Sequence, residues 1–408
     1  MRILCIADEY PWPATHGYRI RLDNVVRALA QVGAVDLFCT VSERADLPAG
    51  ETSAPTQNVR LFVHHRRPFG PGVRSFFSWL RSGWPRSVAW IDWEGANAAL
   101  TAWAHPQYDV VWFSHCHTWL PLGRRERGPV IVDLDNLEDE KLRTLMRLWR
   151  LQRREGLTSL TLRRRLRRWL GDALDRVDVR RWERAQLRAA EAAHTVVVCS
   201  DLDRERLGHP ASVVVPNGYE LAPTTPEAAQ RPVPVLTMVG LLIYPPNLDA
   251  ARFFAHRVLP HIRRQLPSAR LRLVGRNDGA IEELAGLPGV EILGEVIELD
   301  AVFASTSAVV VPLRAGSGTR VKILEAFARR IPVVSTTLGC EGLHVRDGIE
   351  LLVGDTPEEL AAACVRILSD SDLAASLTAA GHRLWHLHYR WDDVRDRIGK
   401  LAVEVSSR

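Results

Sequence analysis

The residues best suited to chemistry lie close together between Ala308 and Gly342, which reads AVVVPLRAGSGTRVKILEAFARRIPVVSTTLGCEG. Gly316, Ser317, Gly318 and Thr319 form a small-residue loop, and Arg320, Lys322 and Glu325 follow directly. Glycines let a backbone approach a ligand closely, and a helix opening behind them points unpaired N–H groups and a positive dipole end at it. An anion, above all a phosphate, fits such a loop. Spacing excludes two common phosphate loops. No Lys-Ser/Thr follows the glycines as in a P-loop, and Val321 stands at the third glycine position of a dinucleotide fingerprint. A second set is Ser114-His115-Cys116-His117, with Asp133, Asp135, Asn136 and Glu138 further on. Acidic residues of this kind suit either a metal or the capping of the next helix, for which Asp133 and Asn136 serve equally.

These residues need elements to hold them. Val309 to Leu313 is a short β-branched run that predicts a buried parallel strand, and Ile331 to Ser335 predicts the next. Between them Val321, Leu324 and Ala328 recur at helical spacing as the inward stripe, with Lys322, Glu325 and Arg329 on the other side. The unit is a right-handed βαβ crossover. The chain opens in the same way: strand Arg2 to Ala7, a loop from Asp8 to Gly17, and a helix over Arg19 to Ala30. Asp109 to Phe113 is a strand running into His115 and His117. Open α/β sheets bind ligands beyond the carboxyl ends of their strands, which is where both histidines fall.

The stretch GSGTRVKILEAFARRIPVVSTTLGCEGL resembles the donor-binding segment of retaining glycosyltransferases of the GT-B fold, the group 1 family related to sucrose and mannosyl transferases, and within it the sugar transferases of bacterial exopolysaccharide clusters. The resemblance implies an α/β protein of two Rossmann-like domains facing across a cleft, with a C-terminal helix crossing back to the first. In that family two glutamates separated by seven residues flank this loop. The second, matched by Glu325, holds the nucleotide ribose; the first, which contacts the transferred sugar, is replaced by Ser317. The resemblance further assigns Pro13, Gly17, Arg19 and Arg21 to a loop beneath the donor phosphates. A histidine of the SHCH segment, His115 or His117, would stand near the sugar. Gly294 to Val296 would read the base, and Pro216-Asn217-Gly218 matches the inter-domain turn. The family's basic pair after the first strand of the second domain is missing from Leu241 to Asn247. Lys322, Arg320 or Arg276 is left to supply that charge, Lys322 first because it opens the helix. A surface pair with Glu325 is the plainer reading of Lys322.

With 408 residues, 46% of them hydrophobic, the chain is long enough for two cores. Expected boundaries are 1–220 for the acceptor domain, 221–383 for the nucleotide-sugar domain after a Pro/Thr-rich linker, and 384–408 for the returning helix. No apolar run is long enough for a transmembrane helix, and charge at Asp8 and Glu9 replaces a signal cleavage site, so a cytoplasmic protein is expected. Six scattered cysteines predict reduced, buried thiols and no zinc site. The formal charge of +5 hides an asymmetry: 141–188 holds sixteen Lys/Arg against five Asp/Glu. Within 142–174 arginines interleave with Leu142, Leu145, Trp149, Leu166 and Trp169, a pattern that suits peripheral docking on an anionic membrane or a solvated helix pair, and suits nucleic acid less. The tryptophans and phenylalanines of 70–93 are expected to pack.

The expected function is transfer of a hexose from a nucleoside-diphosphate sugar to an acceptor hydroxyl, sugar or lipid-linked, in cell-surface polysaccharide or glycolipid synthesis, with no cofactor and no metal. A non-catalytic scaffold in polysaccharide assembly, favoured by Ser317 and the basic segment, and an epimerase or phosphorylase on the same fold are the alternatives.

Overall fold

A computed structural model describes residues 1–42, 55–56, 58–64, 73–91, 93–123, 127–154, 162–221, 233–318 and 320–407, with the backbone alone described at 64, 73–75, 78, 154 and 162–170. These residues divide into two compact units, one of Met1–Met146, Gln152–Pro216 and Asp392–Arg408, the other of Arg147–Leu151 and Asn217–Trp391.

In the first unit seven strands form one parallel sheet: β1 (Arg2–Ala7), β2 (Ala34–Ser42), β3 (Asn58–His64), β4 (Val110–Ser114), β5 (Val130–Leu134), β6 (Thr195–Val198) and β7 (Ser212–Val214). Their order is β3-β2-β1-β4-β5-β6-β7. Helices α1 (Gly17–Val32), α2 (Val73–Ser82), α3 (Arg86–Ala89), α4 (Trp93–Trp103), α5 (Cys116–Leu122), α6 (Glu138–Arg154), α7 (Leu162–Ala192) and α8 (Asp201–Leu207) accompany it. β4 and β5 are buried at every position, as expected of parallel strands covered on both faces, and Leu4, Ile6, Val111, Val132 and Val196 share one core.

The second unit repeats the plan with β8 (Val235–Val239), β9 (Arg270–Val274), β10 (Val290–Gly294), β11 (Ala308–Val311), β12 (Val333–Ser335) and β13 (Leu352–Val353), all parallel, in the order β10-β9-β8-β11-β12-β13. Its helices are α9 (Pro245–Phe253), which runs through a π-helical turn at Phe254–Val258 into α10 (Leu259–Gln265), then α11 (Leu299–Ala304), α12 (Val321–Ala328), α13 (Pro357–Ser369) and α14 (Ser371–His388). The Thr-Pro-Glu-Glu signal makes a full capping box on α13, with Thr356 and Glu359 each closing on the other's backbone. From Asp392 on, α15 (Trp391–Ser406) belongs to the first unit, where Arg395 donates to Asn24 on α1 at 2.6 Å. The terminal helix thus returns to the first unit.

Both sheets reverse their strand order once, between β1 and β4 and between β8 and β11. Loops leaving adjacent strands at such a point diverge to opposite faces and open a crevice beyond the carboxyl ends. The crossings at these two points carry the candidate residues.

Three expectations change. α12 is only eight residues long and buried nearly all round: Glu325 and Arg329 are buried with Leu324 and Ala328, while Val321 is half-buried. A helix with so little exposed face can hide charge only where partners meet it. Trp79 and Trp93 pack as expected, but Phe76, Phe77 and Leu80 on α2 are exposed. Asp133 neither caps α6 nor faces a metal, because it is wholly buried against Arg21, and the first amide of α6 donates to Gln186 Oε1 at 2.7 Å. The basic side chains expected at 163–168 and most of the linker, 222–232, lie outside the described residues.

Candidate active site

In the second unit Gly316 and Gly318 take φ of +117° and +81°, conformations open to glycine, and they turn the chain from β11 into α12. Arg314 anchors the entry, its guanidinium bidentate on the buried Asp249 at 2.9 Å and stacked over Phe253. Arg320 folds the loop from below: it donates to the carbonyls of Ser317 and Gly316 at 3.0 Å and of Leu338 at 3.2 Å. The Ser317 hydroxyl has no hydrogen-bond partner among the described residues. Thr319 lies outside them.

Lys322 does not pair with Glu325. Its ammonium donates to Asn247 Oδ1 at 2.9 Å, and Asn247 is held in turn by donating to Leu241 O. Gly240, at the end of β8, leaves the space: a Cβ there would lie 3.1 Å from Lys322 Nζ. Burial, reinforced by Arg320, lowers the Lys322 pKa to about 7. The Tyr244-Pro-Pro-Asn247 turn thus holds a lysine from α12 beside the end of β8.

Glu325 Oε1 accepts the Tyr219 hydroxyl at 2.5 Å and lies 3.4 Å from Arg329 Nε; Arg329 is itself paired with Asp300 at 2.5 Å. Burial raises the Glu325 pKa, against the opposing pull of Tyr219 and Arg329. Arg276 stands apart from these, exposed and paired with Asp278 at 2.9 Å. Val296 is half-buried beyond β10, after Gly294 at φ +71°. Nothing in the local pattern around Tyr219 identifies it as the partner of a residue more than a hundred positions away.

In the first unit β4 ends at Ser114, and His115 follows at φ +75°, an uncommon conformation for a residue with a Cβ. Its ring stacks on Tyr18 of α1, centroids 3.8 Å apart, and its Nδ1 lies 3.2 Å from Asp8 Oδ1. The Tyr18 hydroxyl donates to the same carboxylate at 2.5 Å. Asp135 lies 3.8 Å from His115 Nε2. Burial alone would lower the His115 pKa, but the two carboxylates outweigh it and raise it to about 10, so the ring is an imidazolium at neutral pH. His117 is the opposite case. It packs on Trp182 at 4.4 Å, its Nδ1 has no hydrogen-bond partner among the described residues, and burial lowers its pKa.

His117 lines a cleft of about 700 Å³ with Asp8, Glu9, Glu138, Lys141 and Trp182 among its walls. Gly17 opens α1, with nothing within 4 Å of where a Cβ would lie. Arg19 pairs with Glu9 at 3.1 Å. Arg21, expected with it beneath the phosphates, is buried instead, bidentate on Asp133 at 2.8 and 2.9 Å and bonded to Val215 O. On a helix the two arginines are two positions apart and cannot share a face, so one had to turn inward.

Comparison with known proteins bears on the fold and on residues 233–370. Residues 233–370 match the family described as Glycosyl transferases group 1. An uncharacterized 44.6 kDa protein in the cps region of Klebsiella pneumoniae is 28% identical over 127 residues, a match spanning 29% of this chain and about a third (32%) of that relative. Among solved structures, sucrose-phosphate synthase from Thermosynechococcus elongatus superimposes with a TM-score of 0.69 at 18% identity over 100% of both chains. HepE of Anabaena in complex with UDP and glucose gives 0.62 at 14%, covering 99% of this chain and 100% of that one. S. aureus TarM, in a complex that includes UDP, gives 0.67 at 7% over 100% of both. At these identities the likeness establishes the architecture, the two-Rossmann-domain GT-B fold.

Proposed function

From a chain of GT-B fold that carries a glycosyl transferase group 1 domain over 233–370, we propose a retaining glycosyltransferase that moves a hexose from a nucleoside-diphosphate sugar to an acceptor hydroxyl. The observation that carries the reading is the grouping at the β8/β11 switch point of a glycine loop, a helix start, the half-buried Lys322 and the buried Glu325. Glu325 accepts from the ribose hydroxyls. The loop amides and Lys322 hold the diphosphate, whose charge grows as the bond from the sugar's anomeric carbon to the β-phosphate oxygen breaks. The acceptor oxygen bonds to that carbon on the same face, and its proton leaves with the diphosphate, so no protein nucleophile is needed. Ser317, with its unpartnered hydroxyl, takes the sugar-facing place of the first glutamate.

The acceptor side is assigned to the first unit, where His117 and the cleft walls receive the acceptor and His115 is a cationic donor to the transferred sugar. The reading assigns no step to a divalent ion. Asp8, His115 and His117 bring ligand atoms within 4.8 Å of one another, and turnover in EDTA tests whether an ion there takes part. A role in cell-surface polysaccharide or glycolipid synthesis is supported by the relative in a cps region, and a lipid-linked acceptor fits the basic composition of 142–174. No helix among the described residues is long and apolar enough to cross a membrane.

The test is a thermal-shift screen against UDP, GDP, ADP and dTDP, followed by transfer from the matching sugars. UDP is the first probe because the Anabaena complex holds it. At about a hundredfold excess over Kd, one nucleotide is expected to stabilise the protein by about 2.7 kcal/mol, and Glu325→Ala is expected to lose that shift. Product with the anomeric configuration of the donor, formed in EDTA, completes the reading; stabilisation without turnover of any sugar nucleotide replaces it with the scaffold.

A further inference from the structure

Among the described side chains of α2, Trp79 turns inward and Phe76, Phe77 and Leu80 are apolar groups turned outward. Trp79 is buried, its indole N–H donating to Asp178 Oδ1 at 3.0 Å and its ring covered by the Arg181 guanidinium at 4.2 Å. Phe76, Phe77 and Leu80 are 43%, 55% and 51% exposed. Residues 76 and 80 share a helix face and 77 adjoins it, so the three form one apolar patch rather than scattered exposure.

The segment that carries the patch is basic in sequence. From Thr52 to Ile91 the chain contains six arginines and no aspartate or glutamate. Arg86 is neutralised by Asp175 and Asp178, but Arg60 and Arg81 are exposed. An apolar patch bordered by the exposed Arg81 and by Arg181, whose guanidinium donates to Leu80 O at 3.3 Å, complements the headgroup region of an anionic bilayer, which offers acyl chains and negative charge together. The patch is also tied to the cleft: Asp178, which anchors Trp79, lines it, as do Arg86 and Trp90.

We propose that α2 is a membrane-docking helix, with Phe76, Phe77 and Leu80 inserted among anionic headgroups, and that it brings the neighbouring cleft to a lipid-linked acceptor. Only the second clause rests on the glycosyltransferase reading.

The test is co-sedimentation of the full chain with vesicles of phosphatidylcholine alone or with phosphatidylglycerol, at low and at physiological salt. Binding is expected with the anionic vesicles, weakening as salt rises. Phe77→Ser with Leu80→Ser is expected to lower the partition at least about tenfold while leaving the nucleotide thermal shift unchanged, which shows that the variant is folded. Arg163, Arg164 and Arg165→Gln serves as the comparison. The proposal is overturned if the serine variant binds like the parent, if only the glutamine variant loses binding, or if the parent ignores vesicles and self-associates through the patch. Vesicle binding with no nucleotide response would sink the glycosyltransferase reading and leave the docking helix standing.

Discussion

Glu325 is buried and Lys322 half-buried, and both gain meaning from a neighbour. Tyr219 donates to Glu325 at 2.5 Å, a charge-assisted bond worth about 1.5–3 kcal/mol. Since burial already raises the Glu325 pKa, Tyr219→Phe moves it further up, and the carboxylate that binds ribose is lost at higher pH. We expect nucleotide affinity to fall about tenfold or more near neutrality. The acid limb of the affinity–pH profile, followed by calorimetry, should shift upward; a uniform loss at every pH would mean that Tyr219 only packs. Lys322 has a pKa lowered to about 7 by burial and by Arg320. At pH about 8 the free amine is mostly neutral, and a bound diphosphate raises its pKa again, so binding takes up a proton. Calorimetry in buffers of different ionisation enthalpy should show uptake approaching one proton at pH about 8 and fading below about 6. Lys322→Met should abolish it. Sequence showed both charges, but neither partner: Asn247 and Tyr219 are set by crossings, not spacing.

At the scale of elements, the site of the second unit depends on strand ends held very close together. A Cβ at Gly275 would lie 2.0 Å from Gly240 O, and Gly275 has φ of +129°. Gly275→Ala must push the β8 and β9 ends apart, disturbing the pocket of Lys322 and Asn247. Beyond the roughly 1–3 kcal/mol of backbone strain, it should weaken nucleotide binding in the same assay. Thr356→Ala, at the capping box of α13, should cost about 1 kcal/mol of stability in denaturant melts and leave nucleotide affinity alone. The strands and the capping box were legible because they are local patterns of β-branched runs and fixed offsets. The faces of α12 were not. Periodicity sorts residues by polarity, and a short helix whose glutamate and arginine meet Tyr219 and Asp300 breaks that rule.

For the whole molecule, two units with separate cores should respond separately. Arg21→Met leaves Asp133 buried and unpaired, a change that costs about 3–5 kcal/mol. Differential scanning calorimetry should show that variant lowering one transition and the nucleotide raising the other; a single transition moved by both would mean that the units melt together. The sequence by itself determined the parallel α/β class, the glycine loop with Lys322 and Glu325 behind it, and His115 and His117 at a strand end, since each follows from a run of neighbours along one chain. Only the tertiary structure decided which charges are buried. It turned Arg21 from a ligand candidate into the partner of Asp133, set His115 between Asp8 and Asp135 as a cation, and left Phe77 and Leu80 facing solvent. Burial and pairing depend on residues that are distant in the chain and adjacent only in space, and no spacing within a segment reports them.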